Sequence, residues 1–213
     1  MRLYLLAMMD EANEIIKDFE LVKEEPFKLY KNSNTLLAIT GIGKVNASFV
    51  FTSVLKEDYE IKEVINLGFA GAYGDYSIGD FVIVDEAIYH DFDLTMFNYK
   101  KGQVPNIKED FITDNKYLTL FYDLKRTKLY TGDYFLNNKI SDNFLVDMEG
   151  TALYHVANLT KTPIFSIKVV SDIIDSKDHL KEYEKFELNG AKELLKLFNM
   201  IEVRLNEKGL NFT

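Results

Sequence analysis

Along the chain, short apolar runs end repeatedly in an acid and pass straight into a helical pattern. The fullest case is Phe144 to Val156 (FLVDMEGTALYHV), a strand-like run that reaches Met148-Glu149, turns through Gly150 and Thr151, and continues as an amphipathic helix. Ile167 to Asp175 (IKVVSDIID) repeats the shape, with its apolar run ending in Ser171-Asp172. Leu3 to Met8 reads as a first strand, followed by a helix from Asp10 with Glu11 in its first turn and Asp10 as its cap. Three carboxylates thus stand at strand-to-helix corners, where ligands gather in α/β proteins. For Glu149 alone, a favourable first-turn acid at the positive end of the helix explains the stretch equally well.

The other segments fill in the same architecture. Phe27 to Tyr30 and Thr35 to Thr40 read as paired strands around a polar turn, and Thr40 to Lys44 (TGIGK) leads into a helix through Val45, Phe49, Val50, Val54 and Leu55. Glu63 to Leu67 is a short buried-type strand, with Gly68 to Ala72 following as small residues that favour close packing over ligand access. Ile78 to Val84 is a strand, and Glu86 to Pro105 is a long connection carrying Tyr89, Phe92, Phe97 and Tyr99; a loop so rich in aromatics covers something, such as a partner subunit. Asp114 to Leu124 is helical, Lys128 to Thr131 a strand, Gly132 to Leu136 a turn, and Pro163 to Val170 the last core strand. His179 to Asn206 is a terminal helix burying one face through Leu188, Leu194, Leu195, Leu197, Phe198 and Ile201, mildly interrupted at Gly190. No repeat or linker divides the chain, so the expectation is one α/β domain over residues 1–213, a central mixed β-sheet flanked by helices.

Composition narrows the function. With 213 residues, 47% of them hydrophobic, the chain can bury about 70% of its unfolded surface. A formal net charge of −9 with scattered Lys and Arg excludes a nucleic-acid backbone as partner, while leaving a single nucleoside open. Cysteine is absent, which removes thiol chemistry and fits a reducing, cytoplasmic setting. Met1 to Met9 resembles a short signal peptide, but Asp10 and Glu11 follow at once, and no apolar run reaches the roughly 20 residues of a membrane span. His90, His155 and His179 are too dispersed to suggest a metal site and read as ordinary polar residues. Ser171 lacks a nucleophile-elbow setting and Thr151 an obvious base. Glu11, Glu149 and Asp172 remain, a carboxylate set suited to cleaving a glycosidic bond with one acid at the leaving group and another at water or a cationic sugar.

The segments AMMDE (Ala7 to Glu11), TGIGKVNA (Thr40 to Ala47), INLGFAGA (Ile65 to Ala72), IGDFVIVDEAIYHDFDLTMFNY (Ile78 to Tyr99), GQVP (Gly102 to Pro105), TGDYF (Thr131 to Phe135), VDMEGTA (Val146 to Ala152) and VVSDIID (Val169 to Asp175) resemble, in order, those of methylthioadenosine/S-adenosylhomocysteine nucleosidases. Those enzymes belong to the purine nucleoside phosphorylase superfamily. The resemblance implies a nucleoside phosphorylase-like three-layer fold, a small purine nucleoside as substrate, no cofactor and no metal. It implies that Asp172, fixed by Ser171, protonates N7 of adenine. Keeping a proton near neutral pH on an acid of ordinary pKa about 3.9 takes a rise of about 3 units, or ~4 kcal/mol of environment. It further implies that Glu149, beside Met148, binds the ribose hydroxyls, that Glu11 orients water, that Phe135 stacks on the base read by Leu136, and that Met8 lies against the sugar. Leu94, Phe97, Tyr99 and Pro105 match positions that enclose the 5′-substituent partly from a neighbouring subunit, implying a homodimer, and Tyr183 matches an aromatic that closes over the site.

Three positions depart from the family pattern. Phe69 stands at a usual serine, Lys168 at a common arginine and Gly150 at a frequent alanine, which bears most on substrate preference. Phosphorolysis is disfavoured because only Arg2, Arg126 and Arg204 are available as fork-shaped phosphate donors. A nucleosidase for another purine nucleoside of the futalosine type, and a binding protein that keeps the pocket without chemistry, are the other readings.

Overall fold

The alternation in β1 (Arg2–Leu6) sends Leu3 and Leu5 to one side of a sheet and Tyr4 and Leu6 to the other, and all four are fully buried. A strand buried on both faces needs helices on both, and that is the arrangement in the computed structural model, which describes residues 1–107, 110–176 and 179–210, without the side chains at 187, 188 and 208–210. After β1 come α1 (Met9–Ala12), β2 (Glu20–Lys23), β3 (Leu29–Asn32), β4 (Thr35–Ile39), α2 (Lys44–Leu55) and β5 (Glu63–Tyr73). The order continues with β6 (Phe81–Tyr89), β7 (Phe111–Ile112), α3 (Asn115–Leu120), β8 (Lys125–Thr131), β9 (Phe144–Asp147), α4 (Gly150–Thr160), β10 (Ile164–Ile173) and α5 (His179–Leu210). Val50, Phe51, Leu153 and Tyr154 of α2 and α4 join the core on one face; Tyr117, Leu194, Leu197 and Ile201 of α3 and α5 join it on the other. The expected α/β class with a mixed sheet between helical layers is what forms.

The sheet is parallel where β1 meets β4 and β5, and where β5 meets β10. Antiparallel pairings of β5 with β9 and of β10 with β6, together with parallel β6–β8 and β8–β9, close a ring from which β1, β4, β3 and β2 extend as a wing. On one edge β5 changes partner: Glu63 to Asn66 pair with β1, whereas Gly71 to Tyr73 pair with β9. The split between them is a topological switch point, and it opens at the carboxyl end of β1.

Several boundaries differ from those the sequence suggests. The strand does not end at Leu67; Gly68 to Ala72 continue β5, bonded to β10 along Lys168 to Ile173. Small residues are there because neighbouring carboxylates leave no room, a Cβ on Gly68 standing 2.7 Å from Glu11 Oε1 and one on Gly71 standing 2.8 Å from Asp172 Oδ2. Likewise β6 runs on to a buried Tyr89, which therefore belongs to the core and not to an exposed aromatic loop. Met8, not Asp10, caps α1, because the first-turn acid that bonds back to the cap is Glu11. Asp114 is the cap of α3, accepting from Lys116 N at 2.8 Å, and the helix stops at Leu120 so that β8 starts three residues early. Helix α5 buries Leu194, Leu197 and Ile201 as expected, while the Leu188 side chain lies outside the described residues.

Candidate active site

At the split in β5, three strand ends deliver three carboxylates. Glu11, 3% exposed, follows β1 and accepts from Ala7 N at 2.9 Å, Met8 N at 3.0 Å and Phe69 N at 2.8 Å. The last of these satisfies a β5 amide at the break between its two strand partners. Burial pushes the Glu11 carboxyl up from its ordinary pKa, against the downward pull of the Phe69 amide, Lys168 and the other two amides. Glu149 closes β9 and occupies the cap position of α4, yet its side chain does not cap that helix. Its Oε1 accepts instead from Gly43 N at 2.8 Å, so the glycine junction before α2 presents its backbone to a carboxylate. Burial first, and then the charge of Asp147, push Glu149 up to about 8, against Lys168 and the Gly43 amide.

Behind these two lies Lys168, noted from the sequence only as standing at a common arginine, with Asp147, which the sequence reading did not single out. Asp147 and Lys168 are both buried and paired at 2.9 Å. The Asp147 carboxylate also accepts from Thr131 Oγ1 at 2.5 Å and Gly150 N at 2.9 Å. Burial alone would lower the Lys168 pKa, but Asp147, Glu149 and Glu11 together hold it above the ordinary value, so the ammonium stays charged among three acids. Gly150 is required by this packing, since a Cβ there would stand 2.4 Å from Leu129 Cδ2 and 2.7 Å from Asp147 Oδ2. The signal that could have found Asp147 was its place two residues before Glu149, at the end of the same apolar run.

Asp172, 1% exposed, comes from β10 at a register shift between Val170 and Asp172. Ser171 Oγ donates to Oδ1, and His179 Nε2 contacts Oδ2 at 2.5 Å. Burial raises the Asp172 pKa, outweighing the lowering by Ser171 and His179. His179, read from sequence as an ordinary polar residue, is thus drawn to the acid by the start of α5.

A cavity of about 230 Å³ joins the three carboxylates. Met8, Phe69, Met148, Phe135, Leu136 and Tyr183 line it as well, and Ser171 lies beside Asp172. The Phe135 ring, 46% exposed, packs 4.9 Å from the His179 ring and 5.8 Å from that of Tyr183. Phe69 is turned toward α5, edge-on to Phe186 at 5.2 Å. Gly190 explains itself here: a Cβ would stand 2.5 Å from Phe69 Cζ, so the helix interruption is the socket for that ring.

A family model of the phosphorylase superfamily matches residues 4–202. The 5′-methylthioadenosine/S-adenosylhomocysteine nucleosidase of Bacillus subtilis (strain 168) is 30% identical over 207 residues, which span 84% of this chain and 89% of that protein. The chain belongs to the phosphorylase superfamily, in its 5′-methylthioadenosine/S-adenosylhomocysteine nucleosidase family. Among solved structures, a candidate nucleosidase of the same kind from Borrelia burgdorferi B31, bound to adenine, is similar at 31% identity and a TM-score of 0.80, covering 92% of this chain and 100% of that one. The Neisseria meningitidis nucleosidase in complex with methylthio-immucillin-A is similar at 26% identity and a TM-score of 0.83, covering 94% and 97%.

Four of the expected site residues are not brought to the cavity of this superfamily member. Leu94, Phe97, Tyr99 and Pro105 are absent from its lining among the described residues. They lie on the connection after β6, where Met96 is 84% and Phe97 62% exposed. The start of that connection is tied to α2 by Lys44, which reaches Asp91 at 2.6 Å. Among the described residues no group of three or more acids and histidines is arranged to hold a metal ion, and no helix is long and apolar enough to cross a membrane.

Proposed function

We propose that this chain hydrolyses the N-glycosidic bond of 5′-methylthioadenosine, S-adenosylhomocysteine or both, releasing adenine and the thio-ribose. The observation that carries the reading is the meeting of Glu11, Glu149 and Asp172 on one cavity at the split in β5. Asp172, whose buried carboxyl favours its proton, donates to N7 as the C1′–N9 bond breaks, so the base leaves neutral. Glu149 accepts the ribose hydroxyls, and both that bonding and a positive sugar favour its ionised form. Glu11, held by three backbone amides, orients the water that attacks C1′. With Asp147 behind them and Lys168 as the cation among them, these acids surround the sugar with net negative charge, which stabilises an oxocarbenium-like transition state.

Water is favoured over phosphate because, among the described residues, no Arg or Lys lines the cavity. Arg2 is engaged by Glu63 and Glu202, and Arg204 by Asp123, away from it. The deciding experiment is adenine release from methylthioadenosine in phosphate-free buffer, expected to run at the same rate when phosphate is added. A strict phosphate requirement overturns the reading, and a panel with adenosylhomocysteine and aminodeoxyfutalosine ranks the substrates.

The reading extends to a cytoplasmic homodimer serving methionine salvage, in which the partner's copy of the connection after β6 closes the 5′ end of the pocket. Supporting it, Ile42 just before α2 and Val45 and Phe49 in its first turns are exposed apolar residues, Lys44 among them pairs with Asp91 of this connection, and Ile42 also lines the cavity. Sedimentation at micromolar concentration should return a species of twice the chain mass.

A further inference from the structure

Each release of a base protonated at N7 would strip Asp172 of a proton. At 1% exposure the carboxyl has little direct access to bulk water. Two side chains hydrogen-bond it. Ser171 is equally buried, and its hydroxyl is far too weak an acid to supply a proton near neutral pH. His179 sits on Oδ2 through Nε2 at 2.5 Å, and its side chain keeps 11% exposure at the cavity wall. An imidazole is the side chain whose ordinary pKa lets it take a proton from water and pass it on near neutrality. The Phe135 ring packs against the imidazole at 4.9 Å and 35°, and among the described residues no side chain other than His179 hydrogen-bonds Oδ2.

We propose that His179 reloads Asp172 with its proton between turnovers. The inference rests on the nucleosidase reading and adds a proton-supplying residue that acts through Asp172. In the step, the Nε2–H bond of the imidazolium breaks and an Oδ2–H bond forms. The imidazolium becomes neutral imidazole, the carboxylate becomes carboxylic acid, and water later returns a proton to the ring. The next base then replaces Nε2 at Oδ2 and receives the proton at N7. Gly71 on β5 leaves room for this exchange, since even a methyl there would stand 2.8 Å from Oδ2.

The charged surroundings of the pair are few. Glu182 of α5 is the other acid acting on Asp172, and its oxygens are engaged by Ile173 N at 3.1 Å and Ser176 Oγ at 2.6 Å. Val146 of β9, Phe135 and Tyr183 line the same cavity without a fixed charge, and Glu11, Asp147 and Glu149 line it as further acids. A proton shared between two sites is lost at higher pH than from either site alone, because both protonated forms drain into one deprotonated state.

The test is the pH dependence of kcat/KM for adenine release from methylthioadenosine, in wild type and His179→Gln. The alkaline fall should move to lower pH by about 0.3 unit in the variant, the shift that two comparable sites sharing one proton produce, with the plateau below it kept within about threefold. An unmoved alkaline fall overturns the proposal, as does a rise in kcat/KM at every pH, which would make the imidazole only an obstruction in the empty pocket. Nitrogen-15 spectra of the wild-type protein give a second measurement that does not depend on a folded His179 variant, since the chain has only 3 histidines. The His179 ring signals should change their titration in Asp172→Asn, and unchanged signals overturn the proposal as well. Full base release by Asp172→Asn would instead sink the nucleosidase reading itself, so the two failures are distinct.

Discussion

The two ends of the cavity, proposed to hold the sugar and the base, both use buried carboxyl groups, yet they are built differently. At the sugar end Glu11 and Glu149 are held mainly by backbone amides, from Ala7, Met8, Phe69 and Gly43, with the Asp147–Lys168 pair behind them. Amide donors keep their protons, so this end is a fixed field. At the base end Asp172 is held by side chains, Ser171 and His179, the second being the imidazole proposed to reload it. Partner chemistry, more than burial, separates a group that stabilises charge from one that exchanges a proton.

Breaking either end should be costly, in distinguishable ways. Asp172→Asn and Glu11→Gln are each expected to lower adenine release by about 10²–10⁴-fold with the melting temperature little changed. A riboside whose leaving group needs no proton should restore turnover in Asp172→Asn and leave Glu11→Gln inactive. Equal behaviour of the two variants on that substrate would erase the distinction drawn here.

Removing the cation from the sugar end comes next. Lys168→Met leaves Asp147 buried without its counter-charge, and a loss of about 3–5 kcal/mol in unfolding free energy is expected by denaturant titration. Adding Asp147→Asn should recover part of it. No destabilisation in the single variant would mean that the pair is not buried as described.

A smaller effect is expected where α5 meets the cavity. Gly190→Ala places a methyl 2.5 Å from Phe69 Cζ, so overpacking of about 1–3 kcal/mol should follow, with a rise in KM as the helix carrying His179 and Tyr183 shifts. Phe69→Leu in the same chain should relieve it, and additive losses in the double variant would dissociate Phe69 from α5.

The mildest measurement is stability against pH. Glu149 rises from 4.5 to about 8 on folding, so the native state holds a proton that the unfolded chain has released. Its stabilising contribution is present below about pH 4.5 and is lost as pH rises through about 8. Glu11 acts in the same direction. The melting temperature of wild type should therefore decline more steeply across that window than that of Glu149→Gln, and parallel curves would contradict the assignment.

The sequence by itself determined the α/β class and which acids end strands, because alternation and strand-to-helix corners are local consequences of burying one side of an element. Glu11, Glu149 and Asp172 were picked out in this way, Phe135 and Leu136 through family resemblance, and all five line one cavity. Other features were decided only when distant segments met. Gly68 to Ala72 look like small residues beyond the end of a strand until Glu11 and Asp172 are seen to press on Gly68 and Gly71, and Gly190 looks like a helix interruption until Phe69 fills it. Lys168 and Asp147 are 21 positions apart, and His179 reaches Asp172 from the next element. Hydrophobic period reports which side of an element faces inward, but the partner of a buried charge is chosen by packing across the sheet, where separation along the chain has no bearing on distance.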